Sequence, residues 1–139
     1  MRAIGVPTLC LLLALAAAGC SNDSTTSPSS TTTTTSPVTD TFASLLARGG
    51  ATTRSFAVSS AGTVKLTLST LGNGTVTAGL SIGLPATGAP CSPSVSVVTG
   101  PGSTPQLQAA VEAGTYCAQI FDTGTLKEDT AFSITIEHP

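Results

Sequence analysis

Histidine occurs once, at His138, and the seven carboxylates are scattered except for the run Asp122-Thr-Gly-Thr-Leu-Lys-Glu128-Asp129. A general base needs a fixed partner within hydrogen-bond reach, and nothing in the pattern supplies one to an imidazole beside the C-terminus, where a chain end is expected to fray. Serine and threonine are abundant, yet no Gly-x-Ser-x-Gly elbow activates one of them. The acidic run carries oxygen ligands of the kind Ca²⁺ takes, but not at EF-hand spacing, and a solvated hairpin turn between the last two strands accounts for it as well. Tyr116, in Ala-Gly-Thr-Tyr-Cys at the start of a strand, suits a tyrosine corner, whose phenol donates to backbone a few residues upstream. The reading of these residues is no catalytic site, no metal site and no cofactor.

Composition narrows the partners. Only 9% of the residues are charged, with five basic against seven acidic, so there is no basic patch to neutralise phosphates and nucleic acid is excluded as a ligand. Carbohydrate binding by sandwich domains commonly uses exposed aromatic platforms. This chain has no Trp; Phe56, Tyr116 and Phe132 fit core faces, which leaves Phe42 and Phe121 as the candidates for such a platform.

The N-terminus has its own chemistry. Met1-Arg2 is followed by a Leu/Ala-rich apolar run to Gly19 that is shorter than the roughly 20 residues needed to span a bilayer, which reads as a secretory signal peptide over residues 1–19. The run ends in Ala17-Ala18-Gly19-Cys20, which resembles the lipobox of bacterial lipoproteins, with Ala17 where Leu is usual. The resemblance implies that the Cys20 thiol receives a diacylglycerol and becomes the mature N-terminus. Two or three acyl chains, at roughly 0.8 kcal/mol per buried methylene, anchor stably where one chain does not. Ser21 follows, and a residue other than Asp there implies, by the rule for enteric lipoproteins, the outer membrane.

Residues 20–39 continue as a Ser/Thr/Pro tract without apolar surface to offset the entropy of ordering, and are read as a disordered linker. The seventeen residues 21–37 could reach on the order of 55 Å fully stretched, enough for a stalk.

The remaining hundred or so residues, 40–139, suffice for one domain. Thr, Val and Gly dominate, which favours strands and turns. Val64, Leu66 and Leu68 alternate with Thr63, Lys65, Thr67 and Ser69, a clear period of two. Phe56 and Val58 share one face, as do Val76, Ala78, Leu80, Ile82 and Leu84, with Gly79 and Gly83 opposite. Tyr116, Ala118 and Ile120 alternate likewise, then Phe132, Ile134 and Ile136. Residues 91–99 form a further strand. Ala61-Gly62, Gly72-Asn73-Gly74 and Gly100-Pro101-Gly102 punctuate these runs, and 85–90 reads as a loop. Residues 42–48 and 106–113 are ambiguous between helix and strand; counting 42–48 and 107–111 as strands gives an antiparallel β-sandwich of about eight strands, of jelly-roll or immunoglobulin-like type. Each strand has one apolar face, so two sheets must meet.

Of the four cysteines, Cys10 leaves with the signal and Cys20 is used by lipid. Cys91 and Cys117 remain in an exported, oxidising setting and are expected to pair.

The order Phe56-Ala-Val-Ser-Ser-Ala-Gly-Thr-Val64, Leu80-Ser-Ile-Gly83, Ala113-Gly-Thr-Tyr-Cys-Ala-Gln-Ile-Phe-Asp122 and Phe132-Ser-Ile-Thr-Ile136 resembles the bacterial pre-peptidase C-terminal domains. That family consists of non-catalytic β-sandwich accessory modules appended to secreted enzymes. The resemblance implies an accessory or binding role, here served from a lipid anchor toward an envelope protein or polysaccharide. A structural surface coat without a specific ligand is the alternative. Some related domains bind calcium near the domain start, where this chain has only Asp40.

Overall fold

The computed structural model describes residues 36–139. The expected signal peptide, Cys20 and most of the linker lie outside the described residues.

Eight strands form, and no helix, among the described residues: β1 (Val38–Leu46), β2 (Ala51–Val58), β3 (Gly62–Leu71), β4 (Ala78–Ala86), β5 (Ala89–Thr99), β6 (Leu107–Val111), β7 (Gly114–Phe121) and β8 (Thr130–His138). Both ambiguous stretches are strands, β1 and β6, and β1 takes in Val38 and Thr39 ahead of the expected boundary at residue 40. All pairing is antiparallel, in two four-stranded sheets of order β1-β8-β3-β6 and β2-β7-β4-β5. Six of the seven connections cross from one sheet to the other, and only β4 and β5 form a hairpin. This is the strand order of a jelly roll, two four-stranded sheets linked by crossing connections.

The alternation read from the sequence is what the core uses. Val64, Leu66 and Leu68 of β3 and Phe132, Ile134 and Ile136 of β8 face Ala78, Leu80 and Ile82 of β4 and Ala118 and Ile120 of β7, all buried. Phe42 packs edge-on against Phe132, with ring centroids 5.0 Å apart and planes at 87°, a favoured aromatic geometry. Removing any one of the fully buried Leu or Ile side chains to Ala would cost about 2–5 kcal/mol, a large part of the net stability of a domain this size. The outer face of the first sheet is polar and almost uncharged: Thr41, Thr135 and Thr67 stand in one row across β1, β8 and β3, beside the Lys65–Glu137 pair at 3.5 Å.

The outer face of the second sheet behaves differently. Gly79, Ser81 and Gly83, on the side of β4 away from the core, are buried as well. Gly79 lies opposite Phe121, whose ring occupies the space a side chain would need, and Ser81 Oγ donates to Gln119 Oε1 at 3.3 Å. At Gly83 the neighbouring strand folds over the glycine: a methyl group there would overlap the Ser92 carbonyl oxygen and crowd Pro93 Cα. Register shifts in the β4–β5 ladder on both sides of this point let β5 bend inward. Cys91 of β5 thereby reaches Cys117 of β7, two strands away, with Cα atoms 5.9 Å apart, and the expected disulfide forms.

Residues 85–90 are not a loop. They are the end of the β4–β5 hairpin, in which Ala86 pairs with Ala89 and Gly88 takes the positive φ of the two-residue turn. Pro85, Pro90 and Pro93 fit because this end of β4 extends past its pairing with β7 and β5 is an edge strand. Leu84, read as a core residue, lies on this projecting part and is 51% exposed.

Candidate functional site

Antiparallel pairing sorts the connections to two poles. Loops 47–50, 72–77, 100–106 and 122–129 gather at one; the turns 59–61, 87–88 and 112–113 gather at the other, with Val38, where the chain enters β1, and Pro139. The acidic run therefore sits among the four loops of the first pole.

Asp122 organises that pole. Its Oδ2 accepts the N–H of Gly49 at 2.8 Å, and its Oδ1 accepts those of Gly124, Thr125 and Leu126 at 2.9, 3.0 and 3.2 Å. The Gly49 N–H above all, together with the other three and against partial loss of hydration, holds this carboxyl below the ordinary aspartate range. Asp122 also donates its own N–H to Gly50 O at 2.9 Å, and Asp129 Oδ1 accepts from Arg48 N at 3.0 Å. Thr125 Oγ1 donates to Thr77 O at 2.6 Å, binding the loop to the β3–β4 connection as well. Asp122 thus uses its oxygens as acceptors for backbone donors of two loops, which is the chemistry of a structural clamp. The run is not a hairpin turn either: β7 and β8 belong to different sheets, and the segment carries the chain across the sandwich.

Beside this clamp, between loops 72–77 and 122–129, opens a cleft of about 330 Å³ lined by Asn73, Thr75, Thr125, Lys127, Glu128 and Thr130 among others. Asn73 Oδ1 is engaged by Thr75 N and Oγ1 at 3.3 and 2.7 Å. Lys127 and Glu128 are exposed at the rim, so the cleft presents one charge of each sign among hydroxyl and amide groups. A second cleft of about 290 Å³, lined by apolar residues including Ile82, Leu84, Val95, Val111 and Tyr116, lies toward the opposite pole between β6 and the β4–β5 hairpin.

At the opposite pole His138 is not frayed. It is the last residue of β8, paired with Val38 and 5% exposed. Its ring lies 5.3 Å from that of Phe56, Nδ1 is 3.2 Å from Pro139 O, and Nε2 is 3.4 Å from Asp40 Oδ2. Ser59 N donates to Pro139 O at 3.2 Å and fixes the chain end from the facing sheet, which is why position in the sequence misjudged it. Tyr116 Oη donates to Glu112 O, four residues upstream, at 3.2 Å, the bond of a tyrosine corner. Of the two aromatic candidates for a sugar platform, Phe42 is buried at 5% exposure and Phe121 lies over Gly79.

One side chain escaped sequence reading altogether. Strand β6 ends its pairing with β3 at Leu107, and beyond it the side-chain amide of Gln106 takes the place of a peptide group: Oε1 accepts Leu68 N–H at 2.8 Å and Nε2 faces Leu68 O at 3.4 Å. The backbone N–H groups of Gln106 and Gly102 complete the edge, on Leu66 O at 3.0 Å and Leu68 O at 2.8 Å. A glutamine just before an apolar run carries no local signal of such a role.

No protein-family model matches this chain, and no curated protein matches it.

Proposed function

We propose that the protein is a non-catalytic lipoprotein of the bacterial envelope, whose β-sandwich is an accessory or binding module held off the membrane by a flexible Ser/Thr/Pro stalk. In this reading residues 1–19 are removed, Cys20 carries the lipid and the folded domain, similar to the pre-peptidase C-terminal modules, meets an envelope protein or polysaccharide. The observation that carries it is the use to which the reactive groups are put. Asp122 and Asp129 bind the backbone of loop 47–50, Tyr116 closes a corner, Cys91 and Cys117 are joined and His138 is packed against Phe56. These groups stabilise a scaffold, and the surface left for recognition is made of loops and sheet edges.

Support for presentation comes from the poles: the chain enters at Val38, at the end opposite loops 72–77 and 122–129 and their polar cleft. The test has two parts. Intact mass of the membrane-extracted protein is expected to show a chain beginning at a diacylglyceryl-modified Cys20; a chain beginning there without lipid would end the lipoprotein reading. Crosslinking of the anchored protein, against a Cys20→Ser control, is expected to capture one stoichiometric envelope partner. The weakly charged Thr-rich outer face of β1, β8 and β3 favours the second reading, a surface coat without a specific ligand, and that reading takes over if nothing is captured.

A further inference from the structure

Three of the four sheet edges carry features that block strand addition. β5 has Pro90, Pro93 and the register shifts, β6 is five residues long with its continuation capped by Gln106, and β2 places the exposed Arg54 on the same side as buried Phe56. β1 has no proline or register shift, and its one charge, Asp40, on the same side as buried Phe42, lies against His138 Nε2 at 3.4 Å. It is nine residues in unbroken register with β8, without Pro, Gly, Lys or Arg.

The hydrogen-bonding phase of that edge follows from the ladder. Leu66 and Leu68 turn their peptide groups toward Gln106, so the odd positions Lys65 and Thr67 bond to Glu137 and Thr135 of β8. The even positions of β8 then face β1, where they meet Asp40, Phe42 and Ser44. The N–H and C=O groups of Thr39, Thr41 and Ala43 consequently point away from the sheet, and all three residues are exposed. The free edge is bounded at both ends. Leu45 O, also on the outer side, accepts Thr52 Oγ1 at 3.2 Å, and Pro37 has no N–H to offer.

We infer that this edge binds β1 of a second copy of the chain, antiparallel about a two-fold axis at Thr41. In that register Thr41 meets Thr41 of the second copy and Thr39 meets Ala43, in hydrogen-bonded pairs that exchange two bonds each. The two ends are complementary: Pro37, which lacks a donor, falls opposite Leu45, whose acceptor is already taken by Thr52. Asp40, the one charge on β1, falls opposite Phe42 rather than another acid, so no like charges meet. The threonine row of β3, β8 and β1 continues into its symmetry mate across an eight-stranded sheet. The two Val38 positions lie six residues apart along the joined strands, about 20 Å, so two stalks of the sequence's length reach one membrane. The pairing does not depend on the lipid.

Sedimentation equilibrium of the full chain in a density-matched detergent tests this. A monomer–dimer equilibrium is expected, with the amides of Thr39, Thr41 and Ala43 gaining exchange protection as concentration rises. Thr41→Pro removes an outward N–H that the β1–β8 ladder does not use and should weaken association about tenfold or more with little change in thermal stability. Thr41→Lys, which sets like charges face to face at an exposed position, is the second variant and should do the same. A monomer at every concentration overturns the proposal, as does a dimer that both variants leave intact. Edge amides protected only on adding envelope extract would overturn it in favour of a foreign strand.

Discussion

Replacing Gln106 with Ala removes the side-chain amide that stands in for a sixth residue of β6. Leu68 O keeps a donor, the Gly102 N–H at 2.8 Å, so the loss falls on the Leu68 N–H, whose acceptor is Gln106 Oε1. Leu68 is fully buried, and its N–H faces the side of β3 beyond the end of β6, where the half-buried Gln106 side chain covers it. An unsatisfied buried donor costs about 1–3 kcal/mol, and the weaker Nε2 contact at 3.4 Å adds little. For a domain of about a hundred residues that is a fall in Tm of about 5–15 °C. Gln106→Glu separates the two contacts: it keeps an oxygen for the Leu68 N–H and loses only the donor, so it should fall well short of Gln106→Ala. Urea unfolding with unchanged m gives the free energies, and hydrogen exchange at the Leu68 amide gives the local effect. If Gln106→Ala stays within about 0.3 kcal/mol of the parent, or if the Leu68 amide keeps its protection, the amide is not completing the strand.

Three further outcomes follow from geometry already described. Asp122 has a lowered folded-state pKa, so it contributes stability that is present above the unfolded value of about 3.9 and lost as pH falls through the folded value. Asp122→Asn should therefore lower Tm at neutral pH and flatten its decline in acid, the two proteins converging once the pH is below the folded value; parallel curves would mean that the carboxylate charge is not what binds the loops. Reducing the protein, or changing Cys91 and Cys117 together to Ser, opens a bridge spanning 26 positions, worth about 3.5 kcal/mol on loop-entropy grounds, and should lower Tm by more than ten degrees. Gly83→Ala forces β5 off the glycine by about 1–3 kcal/mol or more of overpacking, and thiol titration should show slower or incomplete oxidation of Cys91 and Cys117. Oxidation at the parent rate would show that β5 need not cross at that point.

The strands were legible because apolar side chains alternate along them toward the core, and the period of two in 63–69 and 132–137 records that directly. Their number and the disulfide were legible for the same reason and from the count of cysteines. Which strand pairs with which was not, since the partners of β8 are β1 and β3 and nothing local encodes a pairing across ninety residues. Readings of single groups failed where a distant segment supplied the environment. Gly79 and Gly83 stood opposite the apolar face of β4 with nothing nearby in sequence to show that Phe121 and β5 cover them, and His138 looked frayed until Ser59 and Phe56 held it. The clamp at Asp122 was visible only as an acidic run, because its principal donor, Gly49, lies 73 positions away.

The place of β8 has a consequence for how the chain acquires its structure. This strand is the most C-terminal among the described residues and lies between β1, the most N-terminal, and β3. Until residues 130–138 emerge, the first sheet has no centre: β1 has no neighbour to pair with, and β3 has only the short β6. The single local hairpin, β4–β5, belongs to the other sheet, so contacts distant along the chain must form before the core closes, which makes folding slow. A partly synthesised chain therefore has no native resting state to fall into. A chain cut before residue 130 would leave β1 and β3 exposed, a target for proteolysis rather than a shorter functional form.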